Sequence, residues 1–325
     1  MLQIKKPNIN KIKMDKNKIK ILSVNISKKK GVIKQAVKEI VLNSKGIVGD
    51  AHAGDWHRQV SLLGIESVEK FEKLANRKIN YGEFAENITT KGIELYKTKP
   101  FDRYKIGDIE LEVTQIGKKC HGDSCAIFRE IGNCVMPKEG IFCRVIKSGK
   151  IVPGNIMFYY PKVFNLLVIT LSDRASKGEY EDKSGPKIKE LTENYFKKIN
   201  WKFKIENKII PDDPQTLKNL LLNARNNNID VIFTTGGTGI GPRDFTPEVV
   251  KTVMDKEIPG IMELIRIKYG KEKPNALLSR GVAGVMGNSL IYSLPGSVKA
   301  VNEYMSEITK TLQHLIFMLF GLDVH

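Results

Sequence analysis

The stretch IDVIFTTGGTGIGPRDFTPE, residues Ile229–Glu248, decides the fold of the second half of this chain. Its apolar, β-branched start predicts a strand, and its glycines predict a loop. Gly236, Gly237 and Gly239 lack a Cβ, so the backbone can take positive φ and turn its N–H groups toward an anion. The Thr-Pro-Glu at its end predicts a helix with Thr246 as the N-cap.

The glycine loop does not have the spacing of the common nucleotide motifs. No Lys-Ser/Thr follows the glycines as in a Walker loop, and the order is not G-x-G-x-x-G. A tight strand-to-helix turn would explain the glycines alone. Arg243 and Asp244 within the loop favour chemistry over a simple turn.

Strands and helices alternate around this stretch, which predicts a doubly wound α/β domain over residues 163–325. We expect strands at 164–170, 205–210, 229–235 and 288–294, and helices at 186–198, from 214, from 247 and through 259–270. Chemistry-bearing residues follow four of these strands: Ser172 and Asp173, then Asp212, then the glycine loop, then Pro295, Gly296 and Ser297. Ligands bind beyond the carboxyl ends of strands in such sheets, so these loops predict one crevice. Taken singly, Asp173 and Asp213 could also be helix caps.

The first half of the chain predicts mostly strands. Residues 21–26, 109–116 and 141–149 alternate apolar and polar side chains, and only 65–78 shows a convincing helical period. A barrel-like β domain over residues 21–162 is therefore expected, with residues 1–20 as a basic tail or a frayed first strand.

The net charge of +17 is concentrated in the first half. Residues 1–162 hold 31 Lys/Arg and 17 Asp/Glu (31 − 17 = +14), and the rest hold 22 and 19 (22 − 19 = +3). Such an excess could attract nucleic acid, membranes or anionic small molecules, or reflect a lysine-rich composition. No signal peptide or membrane span is evident, and four cysteines within residues 120–143 do not resemble a disulfide framework, so we expect a cytoplasmic protein.

Five ordered segments of the second half resemble the molybdopterin adenylyltransferase family of molybdenum cofactor biosynthesis. They are SDRASKGEYEDKSGP from Ser172, IIPDD from Ile209, TTGGTGIGPRDFTPE from Thr234, ALLSRGVAGV from Ala276 and LPGS from Leu294. The resemblance implies Mg²⁺-dependent transfer of the adenylyl group of ATP to molybdopterin. Asp212 matches a catalytic acid that positions Mg²⁺, and Asp244 matches one that holds the pterin or its phosphate. The remaining implied substrate and nucleotide contacts are Ser172, Asp173, Thr235, Gly236, Gly237, Thr238, Gly239, Ser279, Pro295, Gly296 and Ser297.

Three segments of the first half resemble the MOSC domain: GDAHAGDWHRQVSLL from Gly49, GEFAENITTKGIEL from Gly82 and VTQIGKKC ending at Cys120. The resemblance implies that Cys120 carries sulfur or faces the cofactor, with a cysteine desulfurase as partner and no pyridoxal phosphate in this chain. Neighbouring lysines and a histidine favour the thiolate. Lys119 stands where the family usually has Pro. His52 and Arg58 are candidates for the pocket wall.

Other interpretations stay open. Cys120 could be a small buried side chain of the core. Alternatively, a structural metal could be bound by Cys120, His121 and Cys125, with Cys134 as a further ligand. The second half could be a non-catalytic molybdopterin carrier or a molybdate insertion domain, and the basic half could contact RNA. The family resemblance also suggests a homotrimer.

Overall fold

The computed structural model describes residues 18–119 and 134–322. The chain divides into two compact units, residues 1–162 and 163–325. The described helices of both units include none that is long and apolar enough to cross a membrane.

The first unit contains eleven strands and two helices within the described ranges. The strands are β1 Lys18–Ile26, β2 Gln35–Val37, β3 Ile40–Asn43, β4 Gly46–Ile47, β5 Val60–Gly64, β6 Ile88–Lys91, β7 Arg103–Ile106, β8 Ile109–Ile116, β9 Ile141–Lys147, β10 Gly149–Ile151 and β11 Ile156–Tyr160. The helices are α1 Ile65–Ala75 and α2 Met136–Glu139, with a 3₁₀ turn at Leu95–Lys97.

Seven of these strands close into a barrel. They pair in the order β11-β7-β8-β9-β5-β6-β1, and β1 also pairs with β11, while β2 extends the sheet beyond β1. β5 and β6 are parallel, whereas the other pairs of the barrel are antiparallel. A separate sheet has the order β10-β3-β4. The predicted barrel-like architecture is confirmed.

Alternating side chains fill the barrel. β1 buries Ile19, Ile21 and Val24, and its predicted start at residue 21 was three residues late because Lys18–Lys20 pair with β11. The helix predicted at 65–78 ends at Ala75, followed by Asn76 at φ 50°. Leu74 has 81% of its surface exposed, so it does not belong to the buried face of α1.

The second unit contains six strands and six helices within its described residues. The strands are β12 Val163–Leu171, β13 Lys202–Ile210, β14 Val231–Thr235, β15 Lys256–Glu257, β16 Ala283–Met286 and β17 Ser289–Leu294. The helices are α3 Asp173–Ser176, α4 Ser184–Lys198, α5 Pro214–Asn226, α6 Thr246–Val253, α7 Pro259–Gly270 and α8 Val298–Leu319, with a 3₁₀ turn at Pro274–Leu278.

The six strands form one sheet in the order β13-β12-β14-β17-β16-β15. The first four are parallel, and β16 and β15 run antiparallel at the other edge. Leu167, Ile169 and Ile232 pack with the apolar sides of α5 and α6 in one buried cluster. α4 and α8 contact each other and the strands β12 and β17. The α/β class predicted for this half is confirmed.

One helix prediction is wrong, and one helix was not predicted. Thr246 is the first residue of α6 rather than its N-cap, because Phe245 holds that position and the Thr246 hydroxyl donates to the Gly236 carbonyl at 2.9 Å. The long helix α8 was not predicted. Its N-cap is Ser297, whose Oγ accepts from the Ala300 N–H at 3.2 Å.

Candidate functional site

Four loops of the second unit meet where the parallel strands end. They are residues 172–173 after β12, 211–213 after β13, 236–246 after β14 and 295–297 after β17, and together they form what we call the strand-end crevice. Backbone hydrogen bonds tie neighbouring loops together: Ser172 donates to Ile210 at 3.0 Å, and Gly236 donates to Leu294 at 3.1 Å. The predicted residues of these loops therefore lie at one edge of the sheet.

Asp173 and Asp212 exchange hydrogen bonds across the strand-end crevice. The Asp173 N–H donates to Asp212 Oδ2 at 3.1 Å, and the Asp212 N–H donates to Asp173 Oδ1 at 3.0 Å. Each bond is charge-assisted and fixes one oxygen of each carboxylate. Asp212 Oδ1 and Asp173 Oδ2 are the oxygens left to meet a cation.

Two serines and Asp213 around the crevice are helix caps. Ser172 Oγ accepts from the Ala175 N–H at 3.1 Å, and Asp213 Oδ2 accepts from the Thr216 N–H at 2.6 Å. The bond to Thr216 lowers the pKa of Asp213. A capping serine uses its oxygen as an acceptor, so the hydroxyl hydrogen of Ser172 and of Ser297 can still donate to a ligand.

Positive φ angles shape the glycine loop. Gly236 has φ +101°, and a Cβ there would lie 2.5 Å from the Leu171 carbonyl oxygen. Gly237 has φ +63°, and a Cβ there would lie 2.5 Å from Thr246 Oγ1. Only glycine fits these two positions without strain. Residues 236 and 237 are thus the turn that leads from β14 into the loop.

Asp244 and Arg280 hold the far part of the loop. Asp244 Oδ2 accepts from the Gly241 N–H at 2.8 Å. The Arg280 guanidinium donates to the carbonyl oxygens of Gly239 at 2.6 Å and Asp244 at 2.5 Å, and it pairs with Glu248. Asp244 is therefore a structural part of the loop as well as a candidate ligand-binding residue.

A hollow of about 350 Å³ opens beside Asp244. Its lining residues are Ile240, Gly241, Asp244, Phe245, Glu248 and Arg280. Ile240 is 76% exposed, so the hollow has an apolar rim and two carboxylates with one guanidinium in its wall. That combination suits a small molecule with both polar and apolar groups.

The other predicted contacts differ in how far they can reach a ligand. Thr235 is fully buried and its hydroxyl donates to the Pro295 carbonyl at 3.0 Å, which links the ends of the neighbouring strands β14 and β17. Thr238 is 4% exposed. Ser279 Oγ accepts from the Tyr304 hydroxyl at 2.8 Å. Gly296 lies against Gly236, since a Cβ on Gly296 would be 3.6 Å from the Gly236 Cα.

In the first unit, His52 contacts a buried ion pair between Lys34 and Asp50. Lys34 Nζ lies 2.5 Å from Asp50 Oδ2 and 3.2 Å from His52 Nδ1, and the two charged side chains are 1% and 0% exposed. Asp50 also accepts from the backbone N–H of Ser27 and from Asn87 Nδ2, each at 3.0 Å. Burial would raise the pKa of Asp50, but hydrogen bonds from His52 and Lys34 outweigh it and hold that pKa well below its usual value.

Arg58 stacks on Trp56, at 4.9 Å from the ring centroid, and Lys30 lies 5.5 Å from the same centroid. Trp56 Nε1 donates to the His52 carbonyl at 2.8 Å. Within the first unit, His52 and Arg58 therefore belong to one connected surface with two cations on an aromatic ring.

The cysteine predictions mostly lie outside the described residues. Cys120, His121 and Cys125 are among those that the structure does not describe. Cys134 packs beside the apolar cluster around Phe71, and burial raises the pKa of Cys143 in the barrel core. In residues 18–119 and 134–322, no group of three or more His, Cys, Asp or Glu side chains is arranged to hold a metal.

Sequence reasoning missed three residues that shape these sites. Arg280 lies in the segment ALLSRGVAGV and Asp50 in GDAHAGDWHRQVSLL, but neither was predicted to have a role. A charged side chain next to glycines was the feature of the sequence that could have identified them. Lys34 gave no signal, because nothing in the sequence pairs it with Asp50.

Comparison with known proteins assigns each unit to a family. Residues 49–157 match the model of the MOSC domain, and residues 167–314 match the model of a probable molybdopterin binding domain. The molybdopterin adenylyltransferase of Helicobacter pylori is 37% identical over 155 residues, which are 47% of this chain and 86% of that protein. The enzyme of the same name from Pyrococcus furiosus is 38% identical over 161 residues, covering 48% and 91%. Molybdenum cofactor biosynthesis protein B of Staphylococcus carnosus is 42% identical over 156 residues, covering 47% and 88%.

The fold and these matches define a two-domain protein of molybdenum cofactor biosynthesis. The chain joins a MOSC domain to a domain that belongs to the molybdopterin adenylyltransferase family.

Proposed function

We propose that the second unit transfers the adenylyl group of ATP to the terminal phosphate of molybdopterin and releases pyrophosphate. The observation that carries this proposal is the exchange of hydrogen bonds between Asp173 and Asp212 where four parallel strands end. A doubly wound sheet binds its ligands at this edge. The names of the relatives of this half, which include molybdopterin adenylyltransferase, support the same reaction.

The two acids fit the requirements of a magnesium ion. Mg²⁺ binds through one or two carboxylates and completes its shell with water and substrate phosphates. Asp212 Oδ1 and Asp173 Oδ2 supply that donor set. When bound there, Mg²⁺ would neutralise charge on the triphosphate.

The loops of the strand-end crevice would position the nucleotide. Most of the catalysis in phosphoryl and nucleotidyl transfer is positioning and charge neutralisation, which fixed backbone N–H groups and hydroxyls can supply. Gly236 and Gly237 would let the backbone approach the phosphates, and Gly296 and Ser297 in the adjoining loop would face them.

The hollow beside Asp244 would take the pterin. Its volume of about 350 Å³ lies in the range of small-molecule sites. A carboxylate accepts hydrogen bonds from the amino and ring N–H groups of a pterin, and Asp244 and Glu248 both line the wall.

A matched pair of variants tests the proposed reaction. Asp212→Asn should slow pyrophosphate release from Mg-ATP and molybdopterin by about 100-fold or more, the scale of losing a transition-state contact. Asp213→Asn makes the same change one residue away, and it should keep activity because Asn caps a helix as well as Asp. Wild-type turnover in Asp212→Asn would refute the assignment.

For the first unit, we propose that the MOSC domain binds or sulfurates the cofactor through Cys120. Lys30 and Arg58, which both lie over the Trp56 ring beside His52, form a cationic surface that would attract the anionic cofactor. Incubation of the full chain with a cysteine desulfurase and cysteine should add about 32 Da, one sulfur atom, at Cys120. Cys134→Ala should keep the adduct and Cys120→Ala should lose it. An adduct that persists in Cys120→Ala would exclude this role.

A further inference from the structure

Two arginines contact the glycine loop or belong to it, and their side chains have different partners. Arg280 donates to two backbone carbonyl oxygens of the loop and pairs with Glu248, so it is part of the loop's framework. Arg243 has 78% of its side chain exposed, and its Nη1 lies 3.2 Å from Asp173 Oδ2. Arg243 therefore reaches out of its own loop to a carboxylate that follows a different strand.

The oxygen that Arg243 contacts is one of the two that a cation would use. Asp173 Oδ1 and Asp212 Oδ2 are committed to each other's backbone N–H groups. Asp173 Oδ2 and Asp212 Oδ1 remain, and the guanidinium supplies positive charge to the first of them. Two carboxylates held this close repel one another, so a cation between them is favourable even without a metal.

The ion pair between Arg243 and Asp173 is also weak enough for another ligand to replace it. The pair is solvent-exposed, with side-chain exposures of 78% and 35%, and such pairs contribute little free energy. A guanidinium binds phosphate oxygens through two parallel N–H bonds, which is a stronger arrangement than the single contact to Asp173. Phosphate would therefore compete well for this side chain.

We propose that Arg243 neutralises Asp173 while the strand-end crevice is empty, and that it binds the phosphate chain of the nucleotide once a divalent cation takes its place on the carboxylates. This inference rests on the proposed function. It makes Arg243 a binding residue for the phosphates that become pyrophosphate, and it predicts that Arg243 and the divalent cation compete in the nucleotide-free protein.

The first test measures Mn²⁺ binding to the nucleotide-free full chain by electron paramagnetic resonance. Arg243→Gln should bind Mn²⁺ about fivefold more tightly, because a competing positive charge is gone. Arg174→Gln is the matched control: it removes an arginine next to Asp173 in sequence, one that stacks on Tyr180 at 5.3 Å. Equal Mn²⁺ affinity in Arg243→Gln and wild type, or an equal gain in Arg174→Gln, would overturn the proposal.

The second test measures binding of pyrophosphate with Mg²⁺ by calorimetry. Arg243→Gln should weaken this affinity about tenfold, the scale of a lost charge-assisted hydrogen bond. Arg243→Lys should recover part of the loss, since it keeps the charge without the fork. Unchanged pyrophosphate affinity in Arg243→Gln would also overturn the proposal.

The wild type separates a failure of this inference from a failure of the proposed function. If wild-type protein neither binds Mg-ATP nor forms pyrophosphate, the adenylyl transfer itself is wrong. If wild-type protein does both and Arg243→Gln behaves identically in the two binding tests, only the role of Arg243 is wrong.

Discussion

Replacing Lys34 with Met should destabilise the first unit by about 3 kcal/mol. The Lys34 and Asp50 side chains are 1% and 0% exposed, and removing one member of a buried pair costs about 3–5 kcal/mol. The Asp50 carboxylate would keep the N–H groups of Ser27 at 3.0 Å and His52 at 2.9 Å, and Asn87 Nδ2 at 3.0 Å, with the His52 ring nitrogen Nδ1 at 3.3 Å. These remaining bonds place the cost at the lower end of that range.

The measurement is urea unfolding of the full chain followed by hydrogen exchange, read in peptides from the first unit alone. Lys45→Met is the control, because Lys45 pairs with Asp55 at 3.0 Å while their side chains are 60% and 78% exposed. Losing that pair should cost less than about 1 kcal/mol. If Lys34→Met costs no more than Lys45→Met, the buried pair contributes no net stability and the reasoning is wrong.

Three further predictions concern the second unit. Gly236→Ala should abolish nucleotide binding, because a Cβ there would lie 2.5 Å from a backbone oxygen, whereas Gly178→Ala, at φ +75° with open space around it, should retain binding in the same calorimetric titration. Hydrogen bonds from Lys268, and then from Lys310, lower the pKa of Glu307 to about 2. The ionised Glu307 side chain therefore stabilises this unit above a pH of about 4.3, and this stabilisation is lost as the pH falls toward 2. Glu307→Gln should therefore cost about 1–2 kcal/mol at pH 7 and much less at pH 2 in thermal unfolding monitored across that range. Ser297→Ala removes the N-cap of α8 and should lower stability by about 1 kcal/mol, while Ser297→Asp should not.

Local periodicity was enough to predict many of the elements. β8 runs over the predicted residues 109–116, and α5 begins at the predicted Pro214, because alternation and a Pro after a capping acid are signals contained in a few neighbouring residues. The C-terminal helix α8 was missed although Val301, Met305, Ile308 and Leu312 repeat at helical spacing and are buried. Ser297 was predicted only as a ligand contact, although its side chain caps this helix.

Contacts between distant residues were out of reach of the sequence. The order of strand ends suggested that Asp173 and Asp212 lie near one another, but not that their carboxylates and backbone N–H groups exchange bonds. Thr246 was predicted as an N-cap from its residue type alone. Its hydroxyl instead donates a hydrogen bond to the carbonyl oxygen of Gly236, which comes close to Thr246 because the glycine turn bends the chain back. Side-chain preferences describe average neighbours, whereas these bonds depend on one particular fold.

The pairing of β1 with β11 has a consequence for how the chain is made. Lys18 pairs with Phe158, so the earliest strand of the barrel cannot gain that neighbour until nearly the whole first unit has left the ribosome. Pairings that span so much sequence form slowly, and unpaired strands expose edges that aggregate. Translation continues straight into β12 at Val163. Aggregation is therefore most probable before β11 has emerged, and slowing synthesis once residues 156–160 have left the ribosome should raise the yield of folded chain.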